Sequence, residues 1–180
     1  MAISNIYTQS RNVNIVDSTK EFAFTILESW KQFIEVEKQN PEVIKNSVYA
    51  SLILFYNLLL QTFANRTQGR EQKEIMTKLI GYLSDHIMDE FSDHMIINVV
   101  LHLITLFTKN GETARMIFSN KKILQYIFNR LKASDALKSF AWKEGVIPQK
   151  HQETIRLAAL ALSRLSAKFD EEINKEVFKE

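Results

Sequence analysis

Three histidines and four carboxylates fall within "SDHIMDEFSDHMIINVVLH", the stretch from Ser84 to His102. Imidazole and carboxylate are ligands for divalent metals and the commonest general acids and bases. His86 and Glu90 stand four apart, a spacing that sets two ligands on one helix face. Metal sites of four-helix bundles use related spacings, such as Glu-x-x-His. One reading is therefore a helical-bundle metalloprotein or enzyme using His86 and Glu90. Distance argues against a larger cluster. His94 and His102 are eight residues apart, ~12 Å along a helix at ~1.5 Å per residue, so they cannot share an ion. "MDEFSD" also carries the signals of one helix stopping and another starting. Ser92 or Asp93 suits the N-cap, and the charge of Asp93 suits the helix dipole. That punctuation is the preferred reading.

Other chemistry is thin. The sequence holds no Gly-rich phosphate loop, nucleophile elbow or HExxH motif. With no cysteine there is no thiolate nucleophile, thiolate metal site or disulfide framework. The expectation is a non-enzymatic chain with no cofactor. The missing cysteines fit a reducing compartment. The start, "MAISNIYTQSRNVNIVDS", lacks a basic region followed by an apolar core. A cytoplasmic location is expected. The most apolar stretch, "VYASLILFYNLLL", is shorter than the ~20 residues of a membrane span and reads as a core helix.

The elements that must position these residues follow from periodicity and punctuation. Only four glycines and two prolines occur in 180 residues, which favours long helices over a many-stranded sheet. Residues 1–18 show no periodicity and are expected to form a flexible N-terminal arm. Helices are predicted over 19–39 and from Pro41 to about Asn65, with Asn40 as N-cap and Pro41 at the first helical position. A third helix spans about 70–88, and a fourth about 93–109, stopped by "KNG" with Gly111 free to take a left-handed cap. A short helix "ETARMIFS" and a medium one over 123–132 follow. Residues 134–150 read as a turn, "SDALKSFAW", and a loop, "KEGVIPQK". A long helix covers 151–169, and "EEINKEVFKE" reads as a charged terminal helix. The fold class is all-α.

Charge is uneven. Residues 109–168 hold twelve basic against four acidic residues, whereas residues 1–108 hold nine against twelve and residues 169–180 two against five. A basic stretch calls for an acidic partner surface. Nucleic-acid binding through 109–168 is an alternative, although its basic residues are spread over several helices without a recognised motif.

"RMIFSNKKILQYIFNRL" followed by "IRLAALALSRLSA" resembles an armadillo repeat: a short helix turning sharply into a second, then a third in which alanines permit close approach. Arg164 stands where the family's third-helix pattern usually has Asn. Fainter copies lie upstream, and aligning "YNL", "ITL" and "SRL" makes Asn57, Thr105 and Arg164 equivalent. The offsets are 48 and 59 residues, longer than the ~40–47 of ordinary armadillo and HEAT units. The likeness spans about residues 20–178 and is specific only over 111–169. It departs from the pattern in lacking the corner glycine and in the long 134–150 segment. It implies a right-handed α-solenoid of about three armadillo-like repeats over 19–180, one segment of a longer scaffold protein; an irregular helical bundle is the alternative. It also implies a concave surface lined by third helices. Their polar residues are Asn57 and Gln61; Asn98, His102, Thr105 and Lys109; and Arg164 and Lys168. Such a groove would bind an acidic or amphipathic segment of another protein. Large cytoskeletal, centriolar or ciliary scaffolds are one setting for such domains.

Overall fold

The computed structural model describes Thr25 and Ser29 together with residues 41–64, 70–88, 92–144 and 149–177. The predicted arm, and the 19–39 helix apart from helical Thr25 and Ser29, lie outside the described residues. Every regular element among the described residues is helical, as the scarcity of glycine and proline favours. The chain divides into two compact units, Met1–Tyr82 and Leu83–Glu180.

The first unit contains α1 (Pro41–Ala64) and α2 (Arg70–Tyr82). Proline opens α1, at the position where its missing N–H costs no helical hydrogen bond. Val48, Leu52, Phe55 and Leu59 recur at helical spacing and are buried, as are Met76, Leu79 and Ile80 of α2.

The second unit begins with a π-helical segment, Leu83–Ile87, and continues through α3 (His94–Phe107), α4 (Gly111–Ser119), α5 (Lys121–Glu144) and α6 (Gln149–Val177). In the π segment the Met88 N–H donates to the Leu83 carbonyl at 3.1 Å, five residues back rather than four. This wider turn stands where the sequence predicted a plain α-helix to 88. Asp93 is the N-cap of α3, and its carboxylate accepts from the Met95 N–H at 2.9 Å. The helix start predicted at Ser92 or Asp93 is therefore built at Asp93.

Ten of the 14 residues of α3 are buried, so α3 is covered on most sides. α6 packs against α3, α4 and α5 and is the element they share. Its buried line is Thr154, Leu157, Ala158, Ala161, Leu165 and Phe169. The alanines on that line keep the helix surface low, which brings neighbouring helices close.

Two local expectations are corrected. Gly111 does not form a left-handed cap, because it is the first residue of α4. Asn110 caps α4, accepting from the Glu112 N–H at 2.8 Å, and α3 ends at Thr108 in ordinary right-handed geometry. Residues 134–144 are not a turn either, since α5 runs on to Glu144. No glycine or proline interrupts "ASDALKSFAWKE", and a lone Ser-Asp pair is too weak to stop a helix. α6 runs to Val177, but Phe169 departs from helical geometry (φ −136°, ψ 38°), so two helices meet at a kink there, at the boundary predicted between the 151–169 helix and the charged terminal helix.

Candidate functional site

The polar residues of α3 not needed for its core fall on one line, and that line faces α6. At its start the ring of His94 meets His151 edge-on, with centroids 4.5 Å apart, and Nδ1 of His94 is buried without a hydrogen-bond partner among the described residues. One turn on, the Thr154 hydroxyl donates to Oδ1 of Asn98 at 2.6 Å. Nε2 of His102 lies 3.5 Å from the Glu153 carboxylate. Nη1 of Arg164 donates to the Thr105 carbonyl at 2.8 Å, and Nζ of Lys168 donates to the Thr108 and Lys109 carbonyls at 2.9 and 3.0 Å. Apart from His102 with Glu153, the partners rise together along both helices, from His94 with His151 through Asn98 with Thr154 and Thr105 with Arg164 to Thr108 with Lys168. α3 and α6 therefore run parallel, with α4 and α5 forming the connection between them.

The end of α3 presents a backbone problem that these side chains solve. A helix leaves its last four carbonyls without partners, and here they lie in or beside the core. The Ile104 carbonyl accepts from the Thr108 N–H, and that of Leu106 from the Lys109 N–H. The Thr105 carbonyl accepts from the Thr108 hydroxyl as well as from Arg164, and the Phe107 carbonyl accepts from the Thr113 hydroxyl of α4. Lys168 supplies the Thr108 and Lys109 carbonyls. Every carbonyl from Ile104 to Lys109 thus has a donor. Two of those donors are cations, which also suit the negative end of the helix dipole.

Electrostatics is concentrated midway. Glu153 accepts two hydrogen bonds from Arg156, at 2.7 and 2.8 Å. Those hydrogen bonds hold the Glu153 carboxyl below its usual range, helped by the charges of Arg156 and His102 and opposed by partial burial. His102 is pushed down chiefly by burial and further by the Arg156 charge, while Glu153 pulls the other way. On α5, burial pushes the Tyr126 hydroxyl up to about 12, against the guanidinium of Arg130, which lies 4.6 Å from its ring.

Of the residues predicted to face a partner, Asn98, His102, Thr105, Lys109, Arg164 and Lys168 are brought together along this seam. The polar stripe is engaged within the chain: the Thr105 side chain is buried and bonds back to the Leu101 carbonyl, and Arg164 and Lys168 hold the end of α3. Lys109 and Lys168 remain exposed, and His102 and Arg164 are half-buried. Asn57 is half-buried on α1 in the first unit, and the Gln61 side chain lies outside the described residues. So do Glu90 and the His86 side chain. Among the described residues, no group of three or more metal-ligating side chains is placed to share an ion.

Sequence reasoning missed Thr154, Glu153 and Thr113, whose roles depend on which helix lies alongside. One signal was present. The offset of 59 residues that aligns "ITL" with "SRL" is also the separation at which Arg164 reaches Thr105. No helix among the described residues is long and apolar enough to cross a membrane. In comparisons with known proteins, no family model, curated protein or solved structure matches this chain.

Proposed function

We propose that this chain is a non-enzymatic protein-interaction module, built from armadillo-like helical layers that stack through their third helices. Its partner is an acidic or amphipathic segment of another protein. The observation that carries this reading is the parallel α3–α6 pair, in register over most of α3 and separated by a two-helix crossover. Successive third helices of an armadillo array would stand in that relation, and each repeat would bury its apolar face only against the next. The charge balance of residues 109–168 supports an acidic partner. The exposed edge of the seam, with Asn98, His102, Lys109, Arg164 and Lys168, is the binding surface in this reading.

A display library of short acidic, neutral and basic peptides tests the proposal. Acidic members should be enriched by the intact chain, and Lys109→Glu should weaken their retention without changing helicity. Lys109 suits this purpose because its side chain is exposed and, among the described residues, only its backbone N–H and carbonyl are used in the fold. Equal retention of acidic and neutral peptides would overturn the proposal.

A further inference from the structure

Resting on that reading, we infer that the C-terminal end of the seam is an anchor site for clustered carboxylates of the partner, formed by Arg115, Arg164 and Lys168. Arg164 and Lys168 are fastened to the last carbonyls of α3. The next residue, Phe169, sits at the kink of α6 and stacks on Phe118 of α4, centroids 4.9 Å apart. The Arg115 guanidinium lies 5.6 Å from the centre of the Phe169 ring. Three cations are thereby gathered about one helix end, each held by a neutral group. A carbonyl or an aromatic ring fixes a cation in place without cancelling its charge. Among the described residues none of the three is paired with a carboxylate, and the described carboxylate nearest in sequence to Arg115 is the exposed Glu112.

Holding the cations in advance matters for binding. Ordering a long Lys or Arg side chain costs rotamer entropy, and here the fold has already met that cost. The remaining guanidinium donors of Arg115 and Arg164 can meet carboxylates in pairs. The aromatic rings decide between classes of polyanion. Single-stranded nucleic acid is gripped by stacking bases on free aromatic faces. Phe118 and Phe169 instead stack on each other, and Phe169 is buried. The site suits an acidic peptide.

Fluorescence anisotropy of labelled deca-glutamate with the intact chain at low salt tests the site. Arg115→Gln removes a charge that, among the described residues, touches only a ring, and Lys168→Gln removes a second. Each should weaken binding about threefold, and the pair about tenfold, as loss of exposed charge contacts would. Lys73→Gln, an exposed change on α2, should leave binding as it was. Wild-type binding that the double variant matches would overturn the anchor site while leaving the broader interaction reading standing. No binding of deca-glutamate by the wild type at low salt would overturn both. Tighter binding of single-stranded oligothymidylate than of deca-glutamate would overturn the choice of an acidic peptide.

Discussion

Midway along the seam, His102 faces a carboxylate that Arg156 already holds. Burial is the largest influence on the imidazole and favours its neutral form, so its folded value lies below the ordinary 6.5. The sign of the linkage follows. Well above pH 6.5 neither the folded nor the unfolded state protonates this ring, and the seam keeps its full stability. As pH falls below 6.5 the unfolded chain takes up the proton first, and stability declines until the folded ring is also protonated. Glu153, held low by Arg156, adds a loss in the same direction at more acid pH. Thermal melts between pH 7.5 and 5.5 should show a falling midpoint, with a smaller fall in His102→Gln. Equal pH dependence in the two proteins would remove His102 from the account. Both groups are partly exposed, so the effect is modest.

The behaviour of α3 as an element depends on how its C-terminus is closed. Thr113 is buried and supplies the Phe107 carbonyl, whereas Lys168 is exposed and supplies carbonyls at the margin. Thr113→Val keeps the side-chain shape and strands a buried acceptor, at a cost of about 1–3 kcal/mol. Lys168→Met should cost less, because water can replace the ammonium. Denaturant titration of both variants checks the order, and a reversed order would contradict it. The same helix shows what could be read from the sequence. Asp93 as cap, the apolar run and the stop near Lys109 were legible because they are local: a short side chain within reach of the first N–H groups, a 3.6-residue period, a glycine. Gly111 misled because Asn110 before it is the better helix starter, so one signal served the next helix. The length of α5 was missed because Ser134 and Asp135 favour turns only when a breaker accompanies them. The carbonyl donors were illegible, since Arg164 and Lys168 lie nearly sixty residues away and act only once α6 lies alongside. A polar stripe looks the same in sequence whether water or a neighbouring helix meets it.

At the scale of the whole molecule, an acidic-to-neutral N-terminal stretch gives way to a basic one over 109–168, and α6 gathers α3, α4 and α5 of the second unit around it. The functional proposal needs α3 and α6 to be successive, parallel layers. The chain has no cysteine, so pairs introduced for spin labelling are unique. Met95, Gln152 and Ala167 are exposed, the first near the start of α3 and the others toward opposite ends of α6. The most direct test is the electron-spin distance measured in two double-cysteine variants, at 95 with 152 and at 95 with 167. Parallel helices in the register described predict a short first distance and a second one longer along the axis by ~22 Å, from ~1.5 Å per residue. A first distance equal to or longer than the second would contradict the parallel seam and the layered module built on it.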